Sequence, residues 1–593
     1  MDAFVSVLRR FPLVMTAAAV GTVTSMILIE RTSNSADEDA YAKILMACSL
    51  GLTTLLCSAL VAEKWKLSGF KQLLPHFVAL ALVVLYYLSL VWGHDFDSAL
   101  TPVRFMGLNL AAHLGVAFIP YLDSSSVEDF WEYNKRLFGN FMVGAFYSLV
   151  IFAGLSVAIL AVNELFNLDI DEKIYGHLFA MLAGIFNTTY FLAHFPKEFN
   201  FSVQSIENQE IAPPSSPYTT AFKNLTKFIL IPIVAIYFLI LYAFSAKILV
   251  TWELPQGWVG KLVLGFSVAG IFTYLLNYLL VKFDDSFVVK GFRRWFFYIL
   301  LPMVVLLFVA IGRRISDYGV TEARYVVAIS GVWLLLMSLY FVVSKKDNIK
   351  FIPISLAFFC LFTVLGPFNA FKASERSQLG RFRAVLEKNK LLKDGKAVVA
   401  VDSISREDGQ EIRAGFEFFR GREQAEDVAG WFGVPVDTVN DWSATFNLLK
   451  KYGIPPNDYQ EDPTHCNVYF NQLDRTNNGV DVKGFDRMFT LNSFAELQKP
   501  RDFTGFFVPT STTSLLYYEN DALVDSFSLM QYLKLIESKD ACNNAVLPDS
   551  LAIYEISTPK FELRMILEVL EFHRGTNWRI SGVNGKVLLH KKQ

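Results

Sequence analysis

The residues able to carry chemistry are few and scattered along the 593-residue chain. Its eight histidines stand at positions 76, 94, 113, 177, 194, 465, 573 and 590, and no His-Glu-x-x-His or Cys-x-x-Cys presents zinc ligands at working spacing. No metal site and no cofactor is therefore expected. A phosphate-cradling Gly-x-x-x-x-Gly-Lys-Ser/Thr, a dinucleotide fingerprint and a Gly-x-Ser-x-Gly elbow are all missing, which disfavours an ATP-driven pump. His465 beside Cys466 suggests a base next to a nucleophile, yet adjacent side chains on a strand point to opposite faces, so the pair is a poor one. Cys466 and Cys542 are the two cysteines outside the apolar segments, and in an oxidising compartment they would form a disulfide; two free buried thiols are the alternative. Asp169 with Asp171, and Asp284 with Asp285, could each hold a divalent ion against a phosphate, but short acidic pairs of this kind are ordinarily solvated loop residues.

Most of the chain belongs to a different solvent. Hydrophobic residues make up 53% against 19% charged, with 54 phenylalanines. The 54 basic and 56 acidic residues leave a net charge of −2, so no global field attracts nucleic acid. Up to about residue 370 the sequence carries eleven apolar runs, near 11–29, 44–62, 72–92, 105–120, 137–163, 174–195, 228–246, 262–281, 295–312, 325–344 and 351–370, with no Asp, Glu, Lys or Arg in their interiors. About twenty residues at 1.5 Å each cross a hydrocarbon core of about 30 Å. The fold class is thus mainly α: a polytopic transmembrane helix bundle of about eleven spans. The fourth run is short and contains Asn109 and His113, so it also reads as re-entrant. Trp65, Trp92, Trp252, Trp258 and Trp295 fall at or beyond run ends, where an indole keeps its N–H wet and its ring in lipid. Pro232 and Pro302 lie inside runs and should bend them.

Within these runs the polar side chains are His113, His177, Asn187, His194 and Asn277. Coupled transporters keep ionisable groups in the bilayer because moving charge requires them. Amides and histidines alone fit either a path for a neutral solute or interhelical hydrogen bonds. Lys and Arg in the connections give the orientation: 17 lie at the N-terminus and in the even-numbered loops, and 9 in the odd-numbered ones. Translocating basic loops is disfavoured, so the N-terminus is expected in the cytoplasm of an inner-membrane protein and the C-terminal region outside. The ninth loop dissents, with Arg313, Arg314 and Arg324 beside Asp317 and Glu322 on the outer side.

From about 371 the pattern is that of a soluble α+β domain with 28 basic and 31 acidic residues. Helical spacing over 381–392, 410–419, 424–432 and 438–451 predicts a helical subdomain, 371–456. β-branched and aromatic stretches at 467–470, 503–508, 514–518 and 550–556 predict an α+β subdomain, 457–593, ending in a hairpin about an Asn584-Gly585 turn. The domains are therefore expected at 1–370, 371–456 and 457–593.

Three connecting segments carry a resemblance. They are Tyr121-Leu-Asp-Ser-Ser-Ser-Val-Glu-Asp-Phe130-Trp131-Glu-Tyr-Asn134-Lys135-Arg136, Trp252-Glu253-Leu-Pro255-Gln-Gly257-Trp258 and Arg314-Ile-Ser-Asp317-Tyr318-Gly319-Val-Thr321-Glu322-Ala-Arg324-Tyr325, the last being the most specific. Together they resemble the bacterial polytopic membrane family called domain of unknown function 4153. The resemblance implies the architecture and a bacterial envelope location and leaves the reaction blank. Trp252, Glu253, Trp258, Arg313, Arg314, Asp317, Tyr318, Glu322 and Arg324 form a candidate outer-face site, its charged residues as ion pairs with one another or with the tail, or its arginines as ligands of lipid or glycan phosphate. The expected role is a scaffold or receptor whose outer domain binds an envelope component, with membrane lipids, an envelope protein or a glycolipid as partners. A permease for a neutral or amphipathic solute and a transferase on lipid-linked substrates are the alternatives.

Overall fold

A computed structural model describes residues 2–31, 36–92, 100–123, 126–201, 217–251, 258–344, 347–400, 404–422, 424–454, 465–470, 482–492, 505–509, 513–519, 522–538, 545–547, 549–574 and 578–592. The chain forms two compact units, Met1–Pro455 and Pro456–Gln593. The helical segment after 370 is thus grouped with the membrane helices.

The first unit opens with a short helix α1 (Asp2–Arg10), broken at Phe11 (φ −130°, ψ 53°). Pro12 then starts α2 (Pro12–Glu30), a position where its fixed φ suits a helix and its missing N–H costs nothing. There follow α3 (Ala36–Lys64), α4 (Phe70–Trp92), α5 (Leu100–Phe118) and α6 (Val127–Phe166). The sixth run is one helical stretch in three parts, α7 (Lys173–Met181), a π-turn over Leu182–Phe186 and α8 (Asn187–Ala193). After α9 (Pro217–Asn224) comes a second π-turn, Leu225–Leu230, directly before α10 (Ile231–Thr251). Pro232 explains it: with no N–H to give residue 228, the preceding turn widens instead of breaking. The bundle closes with α11 (Trp258–Phe283), α12 (Phe287–Tyr318), α13 (Glu322–Val343) and α14 (Phe351–Val364).

Among the described residues nine helices are long and apolar enough to cross a membrane, the fourth run among them. The two remaining runs differ in form. The sixth is interrupted by its π-turn, and the eleventh is a helix of only 14 residues. Both still run the length of the bundle. Lys173 meets Glu30 whereas the far end, at Phe195, meets Arg10; Lys350 meets Tyr121 whereas Phe368 meets Tyr325.

Bilayer helices gain no hydrophobic drive from one another, so close packing and small residues must hold them. Gly176, Ala180 and Gly184 recur at four-residue spacing on the side of the sixth run facing α2. A Cβ on Gly176 would stand 3.1 Å from Ile29, and one on Gly184 would collide with Thr22. Gly270 admits the Phe296 ring in the same way, at the centre of a cluster that joins Phe238, Phe266, Tyr274, Phe297 and Phe341.

Beyond the bundle, α15 (Ala370–Lys388) is capped by Asn369, which accepts from the Lys372 N–H at 2.9 Å. A two-stranded turn pairs β1 (Leu392–Lys393) with β2 (Lys396–Ala397). Ser405 caps α16 (Arg406–Phe419), and α17 (Ala425–Phe432), α18 (Val436–Asn440) and α19 (Trp442–Lys451) complete the segment. The helix expected at 438–451 is two, because the Asp441 side chain caps a new start by accepting from the Ala444 N–H at 2.6 Å. Phe382, Leu386, Ile412, Phe416, Phe419, Val428 and Leu448 form its own core.

The second unit is α+β. Its strands are β3 (His465–Phe470), β4 (Arg487–Asn492), β5 (Gly505–Pro509), β6 (Ser514–Glu519), β7 (Ala522–Ser528), β8 (Ala545–Leu547), β9 (Ile553–Ser557), β10 (Phe561–His573) and β11 (Arg579–Lys591), with helices α20 (Met530–Ser538) and α21 (Asp549–Ala552). One sheet has the order β4-β11-β10-β3-β8 with β9 also on β10; a second sheet is β5-β6-β7. Asn584-Gly585 makes no hairpin turn. Residues 579–591 are one strand, antiparallel to β10 along its length. Gly585 is extended there, and a Cβ would strike the Ile566 carbonyl where β10 shifts register between Leu567 and Val569. Continuous pairing on both flanks overrides the local turn preference.

Candidate functional site

Of the loop residues singled out by the sequence, those between α12 and α13 meet α15 and the segment that follows α16 directly. Helix α12 ends at Tyr318, Gly319 turns with φ +70°, and Thr321 leads into α13. Glycine is required at 319, since a side chain would be strained at that φ and would collide with Arg381 and Gln378 of α15. The turn's backbone groups are taken up by that helix. The Val320 N–H donates to Ser377 Oγ at 2.9 Å, and Gln378 Nε2 donates to the Tyr318 and Val320 carbonyls at 3.1 and 2.8 Å.

The charged residues divide into satisfied and unsatisfied. Glu322 accepts from Arg422 Nη1 at 2.6 Å, each side chain only 12% exposed, and the Arg422 guanidinium lies 3.8 Å over the Phe418 ring. Arg381 pairs with Glu411. Arg313 and Asp317 are both exposed and 3.7 Å apart, a loose contact worth little in water. Arg324 gives Nη1 to the Tyr318 and Gly319 carbonyls at 2.8 Å each and stacks near the Tyr318 ring, with Arg314 and Arg381 as like-charged neighbours. Neither Arg314 nor Arg324 has a carboxylate partner among the described residues. Arg313, Arg314, Arg324, Arg381 and Arg422 against Asp317, Glu322 and Glu411 give five positive and three negative charges, a surplus of two. Trp252 and Glu253 lie outside the described residues, and Trp258 begins α11.

The intramembrane polar residues are not gathered. His113 and His194 bond carbonyls of their own helices, Asn109 O at 2.8 Å and Tyr190 O at 2.9 Å. Asn277 is fully buried, giving Nδ2 to the Val289 carbonyl at 3.3 Å; its Oδ1 finds no partner among the described residues, nor does that of Asn187, which packs against Gly144. His177 and His194 lie 17 positions apart on one helical run, about 25 Å at 1.5 Å per residue, at opposite ends of the bundle. His177 Nε2 meets Glu30 Oε1 at 2.6 Å, with Lys173 3.5 Å from the same carboxylate. A cleft of ≈ 340 Å³ lined by Val23, Met26, Ile27, Glu30, Arg31 and His177 opens beside this pair. Glu30 escapes a reading of the sequence because it terminates a run, although helices that return antiparallel necessarily bring such terminal charges together.

The carboxylate pairs are loop structure. Asp171 caps the Lys173 N–H at 2.9 Å, and Asp284 is held by Lys223 and Lys227 at 3.2 and 3.0 Å and by the Ser286 N–H. Those bonds, Ser286 foremost, hold the Asp284 carboxyl far below the usual range. Arg293 stacks 3.8 Å over Tyr274, pairs with Asp347 and is 10% exposed, so its charge is taken up within the protein. Cys466 is buried on β3 and disulfide-bonded; Cys542 lies outside the described residues.

Long apolar helices, charges confined to their ends and a helical segment seated on one end define a multi-pass membrane protein. The family model described as Domain of unknown function (DUF4153) matches residues 14–399, and the chain belongs to that family. It is also similar to an uncharacterized protein of Pasteurella multocida (strain Pm70), 25% identical over 313 residues, which are 51% of each chain. The chain therefore spans about half the length of the curated relative it matches. No solved structure matches.

Proposed function

We propose that the protein is a multi-pass receptor or scaffold of the bacterial inner membrane that binds an anionic envelope component, a lipid or glycolipid phosphate, where α15 meets the turn between α12 and α13. One observation carries this reading: Arg314 and Arg324 stand together without a carboxylate among the described residues, while Arg381 and Arg422 beside them are paired. Like charges held together raise one another's energy, and a phosphate relieves it through charge-assisted, bidentate hydrogen bonds. Proximity to the bilayer surface supplies such a ligand at high local concentration. On this reading the end of the bundle bearing the extramembrane helices faces outward, as the basic-residue asymmetry favours. The test is the lipid profile of protein extracted in native polymer discs. Wild type is expected to retain an anionic phosphate species that Arg314→Gln loses with folding intact; identical profiles would defeat the proposal.

A further inference from the structure

A second surface, at the opposite end of the bundle, follows from the way α1 divides its circumference. At ~100° per residue, Ser6, Arg9 and Arg10 share one side of this helix, and Phe4, Val5, Val7 and Leu8 the other. The apolar side is only partly used. Val7 is 4% exposed in the main core, and Arg10 is fixed to Glu63 and to the Phe195 and Pro196 carbonyls. Phe4, Val5 and Leu8 are 44%, 39% and 39% exposed, and the exposed Arg9 follows them around the helix. Three arcs result: one against protein, one apolar and unpartnered among the described residues, and one cationic at the border between the apolar arc and the polar side.

The break at Phe11 places this helix where the first crossing helix meets water. A helix so divided matches the membrane boundary, with apolar residues among acyl chains and a basic residue at head-group level. Charge on the same end agrees: Arg9, Lys66, Lys71 and Lys197 are exposed and have no carboxylate partner among the described residues. We propose that α1 is an interfacial docking surface for anionic phospholipid, with Phe4, Val5 and Leu8 entering the acyl region and Arg9 donating to a head-group phosphate.

The experiment uses the full chain in vesicles of phosphatidylethanolamine and phosphatidylglycerol at three to one, with benzoylphenylalanine placed at Phe4, Leu8 or, as a control, Ser6. Irradiation is expected to add one phospholipid mass at positions 4 and 8 and none at 6. The ratio of phosphatidylglycerol to phosphatidylethanolamine among the adducts should exceed the bulk one-to-three ratio by up to about fivefold, returning to the bulk ratio in an Arg9→Gln background. Cross-linking of positions 4 and 8 to a second copy of the chain would overturn the proposal, as would equal lipid labelling at position 6. An enrichment that survives Arg9→Gln would remove Arg9 from it.

Discussion

The Glu322–Arg422 pair shows how a single side chain couples the bundle to what lies beyond it. Both groups are largely desolvated, so removing one strands the other. Arg422→Ala is expected to cost roughly 3 kcal/mol, read as a lowered thermal midpoint in detergent, whereas the exchanged pair Glu322→Arg with Arg422→Glu should recover most of the loss. A second residue-scale effect is acidic. Lys388 foremost, then Asn389, holds the Asp408 carboxyl below its ordinary value of 3.8. A depressed carboxylate stabilises the fold above its unfolded value and loses that contribution as pH falls through the folded one. Thermal midpoints should therefore fall below pH 3.8 in wild type and change less in Asp408→Asn. Cys466 gives a third expectation: a non-reducing digest should contain a peptide joining it to Cys542. Glu322 was legible as a charged loop residue. Its partner was not, because Arg422 is 100 positions away and nothing local marks it.

At the scale of elements, periodicity was informative where one solvent acted on a whole segment. Uniform lipid contact made each membrane helix readable as a run, although α3, α6 and α12 begin eight to ten residues before the apolar run that announced them, and the sixth helix hid its π-turn. In the second unit the signals compete. Strand β10 buries Phe561, Leu563, Met565 and Leu567 in alternation, then resumes at Leu570 and Phe572 after a register shift, so its period-two pattern is broken in the middle. The Asn-Gly pair in β11 lies opposite that shift and imitates a turn. Helix contacts in the bundle can be tested through their small residues. Gly184→Val should cost about 1–3 kcal/mol by forcing the sixth helix off Thr22. Gly154→Ala, on open surface, should leave the thermal midpoint unchanged.

For the whole molecule, the ionic contacts sort by end. Arg10–Glu63, Lys64–Asp123, Lys282–Glu128, Lys227–Asp284 and Arg293–Asp347 fall at the α1 end, and Glu30–His177, Arg313–Asp317 and Glu322–Arg422 at the other. That division agrees with the 17-to-9 asymmetry of Lys and Arg between the two sets of connections. Applied to intact cells, an impermeant maleimide should label Glu426→Cys and reach Lys66→Cys only after permeabilisation; the reverse pattern would invert the molecule. Arg10 adds an element of time. Its acceptors belong to residues 63, 195 and 196, so during synthesis the side chain stays without its full set until almost two hundred residues have emerged. On the proposed orientation its charge opposes translocation of the leading segment from the outset, and Glu63 joins it with the second helix, well before the two carbonyls arrive. Only once the sixth helix has returned does the same guanidinium become a bolt joining the first, second and sixth crossing segments.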